Sequence, residues 1–359
     1  MSFVPFQFLR YSLGVSDAPL PELSEREWGA LHKWAEKQSL LGVLYFGLQK
    51  LPPALRPLQK LAWRWSMEAE HIRGQNKKIN ETTAELTQLF EKLGHKVFVL
   101  KGSANALLYP DPNLRQTGDI DFFVSGGRSA AEDLLARSGL DKKAVFNSYH
   151  AEFEYAGEVV EVHYVASRMY APAQNRALQK FLAGEAETSR LVPQGFYVPN
   201  VCYALVMQLC HLKQHFFKGG IGLRQLVDYH QLLLHCSADD RAKVAAQLKP
   251  CGLYKMAGAV MFVLGEVFAL EEPRMLCAPD KARGRILLKV VLEGGNFGWY
   301  AEDYKQPVIA RWFKDRVRFL RLLPFDARES FWKEAKYWMK TVSLIPKRIM
   351  RRRLALGNR

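Results

Sequence analysis

Apolar positions recur three and four residues apart through most of residues 1–95, and this spacing predicts helices. Ser24 and Glu27 stand in an S-x-x-E capping box, after which Trp28, Leu31 and Ala35 share a helical face. Pro52 and Pro53 interrupt the pattern. A longer helix is expected over 58–93, with Ala69, Ile72, Ile79, Leu86, Phe90 and Leu93 in its stripe and Gly94 as its stop. The period then changes. Residues 96–100 (KVFVL) read as a short strand running into Lys101-Gly102-Ser103, and a short helix is expected at 104–108 before Pro110 and Pro112. Residues 118–124 (GDIDFFV) alternate strictly, so Asp119, Asp121 and Phe123 face one way and Ile120, Phe122 and Val124 the other. A helix at 129–137 follows. Strand-like runs 148–155 and 158–165 then flank Ala156-Gly157 as a hairpin, with Glu161 and His163 on one face of the second run. From 199 the pattern is helical again, at 201–217, 223–235, 242–248, 254–269 and 281–292, and two amphipathic helices are expected near 308–323 and 329–344. Helices, a small mixed sheet and more helices make an α+β chain. Four parts are expected: a helical region 1–95, an α/β core 96–198, a helical substrate-side domain 199–300 and a helical tail 301–359.

Composition narrows the function. The chain is 48% hydrophobic and 24% charged, a globular balance that excludes disorder as its main state. The apolar run 256–265 is too short to span a bilayer, and the N-terminal residues lack the pattern of a secretory signal. Five cysteines, an odd number without C-x-x-C spacing, argue against a disulfide framework or a structural zinc site. These features point to a cytoplasmic location, with a peripheral position at the inner membrane face as the alternative. His211 and His215 are spaced like a zinc-protease pair, but Leu212 stands where that motif needs Glu; a packed pair of rings is the plainer reading.

Charge adds an asymmetry. The net charge is +15, and residues 301–359 carry 16 Lys/Arg against 6 Asp/Glu, or +10 of it. A basic tail implies an anionic partner. Trp312, Phe313, Phe319, Leu320 and Leu323 interleave with Arg311, Lys314, Arg316, Arg318 and Arg321. That pattern fits an apolar stripe docked on the chain's own domain with the basic face solvated. It also fits an interfacial helix at an anionic membrane. Nucleic acid ranks last, since no known reading module is present.

The candidate chemistry lies in the 96–165 stretch. A strand that enters Gly102-Ser103 and then a helix presents backbone N–H groups to a phosphate. Two carboxylates on one strand face, Asp119 and Asp121, repel unless a cation lies between them. Glu161, between Val160 and Val162, is a third acid in a strand pattern. Three such carboxylates form a bed for one or two Mg²⁺ ions, with Mn²⁺ as a substitute.

The run Leu100-Lys101-Gly102, Tyr109-Pro110, Arg115, Asp119/Asp121 and Glu161/His163 resembles the uncharacterised nucleotidyltransferase family 5 group, within the DNA polymerase β-type nucleotidyltransferase superfamily. His215, Gly222-Leu223-Arg224 with Asp228, and the 293–298 stretch (EGGNFG) are similar too, so the resemblance covers about residues 25–300. It implies a metal-dependent, nucleotide-binding enzyme that moves a nucleotidyl group from an NTP such as ATP to an acceptor hydroxyl and releases pyrophosphate. Asp119, Asp121 and Glu161 would be the catalytic metal ligands. Lys101, Gly102, Ser103, Arg115 and His163 would contact the nucleotide, and His215, Arg224 and Asp228 the substrate side. The acceptor stays open between a small molecule, a glycan, a protein and RNA. Plainer readings stand beside these: Lys101 as a strand-end lysine, Arg115 paired with Asp111 or Asp119, Arg224 and Asp228 as a helix ion pair, and the 293–298 stretch as a mere connection. The wider superfamily places its Gly-Ser turn nearer the Asp pair. Here fifteen residues intervene, and they are expected to form a longer loop over the nucleotide. A non-catalytic nucleotide-binding protein of the same fold, or a peripheral membrane protein acting through its tail, are the rival functions.

Overall fold

The computed structural model describes residues 4–17, 21–218, 220–295 and 308–356, the last segment with side chains at 316–339 and 341. Three helices open the chain, α1 (Val4–Ser12), α2 (Glu25–Gln38) and α3 (Leu41–Lys50). At the start of α2, Ser24 and Glu27 close the capping box reciprocally. The long helix α4 (Gln59–Lys92) ends where Gly94 takes φ +83°, with the His95 amide bonded back to the Phe90 carbonyl.

The core follows as β1 (Val97–Val99), the single turn α5 (Ser103–Ala106), β2 (Ile120–Val124), α6 (Gly127–Ser138), β3 (Val145–Phe146), β4 (His150–Tyr155) and β5 (Glu158–His163). These five strands make one mixed sheet in the order β1-β2-β5-β4-β3, with β2 and β5 parallel and the other neighbours antiparallel. Ala156 and Gly157, both at positive φ, turn the β4–β5 hairpin. One face of the sheet, with Ile120, Phe122, Val160 and Val162, packs on Leu86 and Phe90 of α4 and Leu134 and Leu135 of α6.

The chain continues as α7 (Pro172–Ala186), a small hairpin of β6 (Arg190–Leu191) and β7 (Tyr197–Val198), and helices α8 (Val201–Lys218), α9 (Leu223–Leu234), α10 (Ala238–Leu248), α11 (Tyr254–Phe268) and α12 (Lys281–Gly294). The second face of the sheet meets α8: Phe98 and Phe123 lie 5.1 Å apart, and Tyr203 sits 5.1 Å from Phe98. The apolar run at 256–265 is the buried centre of α11. No helix among the described residues is long and apolar enough to cross a membrane. The five cysteine thiols are free.

The tail is α13 (Val308–Leu356), broken at Asp326, whose extended backbone separates the two helices the sequence predicts. Its docking differs from the expected apolar stripe. Phe325 does insert, 4.6 Å from Phe216, but the second helix is held by polar groups. Asp326 pairs with Lys213 of α8 at 2.7 Å, and both are buried. The Glu329 carboxylate accepts from the Tyr170 and Ala171 amides at the start of α7. Lys333 donates to the Phe217 carbonyl. Trp312 and Phe313 lie among residues whose side chains are not described, and 296–298 of the glycine-rich 293–298 stretch lie outside the described residues.

Candidate active site

The strand pattern and the sheet register together place the acids. Along β2 the alternation sends Phe123 onto Tyr203 of α8, and Asp121, two residues earlier, points the same way. Parallel pairing sets Asp121 opposite Glu161, and Phe123 opposite His163. Ligand oxygens of Asp119, Asp121 and Glu161 consequently lie within 4.8 Å of one another. Asp119 and Asp121 line a cleft that Gln208 and His211 of α8 also line, and Glu161 lies beside that pair.

Two side chains of the protein already neutralise this cluster. Lys101, at the end of β1, places its ammonium 2.5 Å from Asp121 and 3.7 Å from Asp119. His163 Nε2 bridges Asp121 Oδ1 and Glu161 Oε2, each at 2.9 Å. Burial opposes the charge of Lys101, but the neighbouring carboxylates outweigh it and hold its pKa above the ordinary lysine range. Burial likewise opposes a charged His163, yet hydrogen bonds to Asp121 and Glu161 raise its pKa to about 9. Asp121 is 2% exposed; burial alone would raise its pKa, and Lys101 with His163 reverse this and hold it below the usual carboxylate range. Asp119 moves the other way, because the Asp121 charge disfavours its ionised form.

The turn after β1 has Gly102 in the cap position at φ +61°, with Ser103 as the first helical residue, buried and not itself the cap. A Cβ at Gly102 would meet the Thr117 methyl at 3.3 Å, so the backbone passes closely under the loop that enters β2.

That loop is not a flap over the cleft. Tyr109, Leu114 and Arg115 are buried in it. The Arg115 guanidinium is bidentate on Asp228 of α9 through Nε at 2.8 Å and a second nitrogen at 2.6 Å. Its remaining nitrogen donates to the Gln116 carbonyl and to Thr117 Oγ1. Tyr109 donates to the same Asp228, Asn76 of α4 donates to the Asn113 and Arg115 carbonyls, and Arg224 donates to the Gln116 carbonyl. The partner of Arg115 is therefore neither Asp111, which pairs with Arg73, nor Asp119. Asp228 is hydrogen-bonded to Arg115 and Tyr109, with the Arg224 charge close enough to act on it as well. Both α9 residues act on the loop that delivers Asp119.

The His211 and His215 rings lie 4.3 Å apart on α8, tilted by 59°, where burial pushes both below the usual imidazole range, His215 to about 4. They present neutral rings. His211 lines the cleft, while Lys213 between them points away to Asp326.

Three residues of the site have no place in the motif reading. Asn105 and Gln208 exchange two hydrogen bonds in the cleft at 3.0 and 2.7 Å. His150 lies 3.5 Å from Glu161 and 4.8 Å, ring to ring, from His163. His150, Glu161 and His163 form a second possible ligand set, mixed in nitrogen and oxygen, that shares Glu161 with the all-oxygen set. Hairpin arithmetic could have found His150: a two-residue turn at 156–157 pairs it with His163.

A mixed sheet, packed on helices and carrying converging carboxylates beside a glycine turn, is the α+β architecture of a nucleotidyltransferase. The profile of a family described as uncharacterised nucleotidyltransferases matches residues 24–269, and the chain belongs to that family. Among curated proteins no match is found. The matched span takes in the whole sheet and α2 to α11 and stops short of α12 and the tail; the glycine-rich 293–298 stretch falls outside it. Membership supports nucleotidyl transfer as the general activity.

Proposed function

We propose that this chain transfers a nucleotidyl group from a nucleoside triphosphate to an acceptor hydroxyl, with Mg²⁺ or Mn²⁺ held by Asp119, Asp121 and Glu161. The carrying observation is the convergence of those three carboxylates at neighbouring strands, with Asp119 and Asp121 in the wall of a cleft. The donor set is all oxygen, which suits a hard divalent ion. It also draws two cations from its own chain, Lys101 and His163, as an acid cluster built for positive charge would. A bound ion would supply charge stabilisation for the phosphates and activation of the acceptor hydroxyl.

The chain's own residues divide the remaining work. Asp119 and Asp121 hold the nucleotide-associated charge. Glu161, partly exposed beside the Asp pair, takes the acceptor proton. Lys101, when released from Asp121, meets the phosphates, and Gly102-Ser103 lets the backbone approach them. His163 orients Asp121 and Glu161 together. Arg115, Asp228 and Arg224 fix the loop before Asp119 and serve as positioning residues. In the reaction the acceptor oxygen bonds to the α-phosphorus. The bridging bond to the β-phosphate breaks and its electron pair leaves with pyrophosphate.

The test supplies NTPs labelled at the α- or γ-phosphate, Mg²⁺ and fractions of a cell extract. The α-label is expected on an acceptor and the γ-label in pyrophosphate, both lost with Asp119→Asn. Transfer of the γ-label, or Mg²⁺-dependent nucleotide binding without turnover in every fraction, overturns the reading.

A further inference from the structure

The second tail helix is amphipathic the wrong way round for a packed helix. Its contacts with the body come from Glu329, Lys333 and Lys336, spaced i, i+4, i+7, which bond the start of α7, the end of α8 and the Tyr170 ring. Two residues further along in each case stand Phe331 and Trp338. Two steps on an α-helix turn about 200°, so these lie on the opposite face. That face points outward: Phe331 is 61% and Trp338 49% exposed, with Ala335 between them. Met339 and Tyr337 are exposed beside it, as are Val317 and Leu320 on the preceding helix. In sequence the same spacing continues through Val342, Ile345 and Ile349, and five basic residues follow within 347–353.

We propose that this outward stripe lies in the interface of an anionic phospholipid bilayer, with the basic residues of the tail against the headgroups. Charge decides the occupant. A net +10 over residues 301–359 repels a second copy of the same segment and attracts an anionic surface. Trp, Tyr and Phe flanked by Lys and Arg are the side chains that settle at headgroup depth. Polar docking leaves the apolar face available while the rest of the protein stays folded, so attachment needs no rearrangement of the body. The inference is independent of the nucleotidyl-transfer reading.

The full-length protein is co-sedimented with vesicles of phosphatidylcholine alone and of phosphatidylcholine with about one-third phosphatidylglycerol. Binding is expected only to the anionic vesicles, falling about 10-fold or more between 50 mM and 0.5 M salt as screening sets in. The double variant Phe331→Ser/Trp338→Ser is expected to lose about 10-fold or more in partitioning with an unchanged thermal unfolding midpoint, since both side chains are exposed. Anionic vesicles ignored at low salt, or bound equally by the double variant, overturn the proposal. So does a change of the double variant in mass by light scattering, or in single-stranded oligonucleotide binding, without a change in vesicle binding. The first result assigns the stripe to self-association and the second to base stacking.

Discussion

Asp119 and Asp121 share a strand face but not an energetic role. Sequence alternation made the two look equivalent, and it predicts that either Asn exchange leaves stability unchanged or slightly raised by relieving repulsion. That expectation stands for Asp119, whose side chain is 40% exposed. It does not carry over to Asp121, which is buried against Lys101 and His163. Removing one partner of a buried ion pair leaves the other uncompensated. Asp121→Asn should therefore lower stability by about 3–5 kcal/mol in the metal-free protein, and denaturant titration of the two variants checks the difference. Glu161→Gln should keep nucleotide affinity near wild type in calorimetry but lose about 10²–10⁴-fold in turnover, as expected for a general base. Equal loss of affinity in all three variants would show that the acids act as one binding cluster. Alternation along β2 and the strand pattern around Glu161 were enough to mark these three acids as a candidate set, and they do lie together. The sequence could not identify Asp228 as the partner of Arg115, because that bond joins residues 113 positions apart and no local pattern encodes it.

At the scale of elements, local signals predicted what local signals make. The capping box, the glycine stop after α4 and the Ala156-Gly157 turn each form as their residues dictate. α7 and the β6–β7 hairpin went unforeseen, and α7 has a physical reason. Its cap residue is Ala171, with no side-chain acceptor, and the 170–171 segment that leads into it is held by the distant Glu329. A close approach elsewhere gives a sharp test. A Cβ at Gly42 of α3 would lie 2.1 Å from the Leu114 carbonyl, in the loop that leads to Arg115. Gly42→Ala should cost about 1–3 kcal/mol, as overpacking does, and should reduce turnover more than it raises KM, by shifting Asp119. In α9, His230 is 1% exposed and stacks on Phe268 at 5.0 Å. Burial, helped by the Arg274 charge, lowers its pKa from 6.5 to about 4. The fold holds the neutral ring, so this stabilisation is complete above pH 6.5 and is lost as pH falls through 4. It amounts to about 3 kcal/mol. His230→Leu should flatten the decline of the unfolding midpoint across that window; an unchanged slope would place the acid sensitivity elsewhere.

Across the whole molecule, the tail is joined to the body by buried charge as well as by Phe325. Asp326→Asn leaves Lys213 buried without its carboxylate and should destabilise by about 3 kcal/mol. The Lys213→Met/Asp326→Asn double variant should recover part of that loss, and a double-mutant cycle measures the coupling. Additive losses would mean that the pair is incidental to docking. The Glu329 contact has another consequence, in the order of events during synthesis. The Tyr170 and Ala171 amides, just before α7, emerge 159 and 158 residues before the carboxylate that binds them. At about 5–20 residues per second, that is roughly 10–30 s of elongation. For that interval the segment leading into α7 lacks this anchor, and the surface of α8 that receives Phe325 and Asp326 is bare. A nascent chain of this protein thus carries an open, hydrophobic seam until residues 325–329 are made, and chaperone contact during translation should concentrate on that seam and end when the tail arrives.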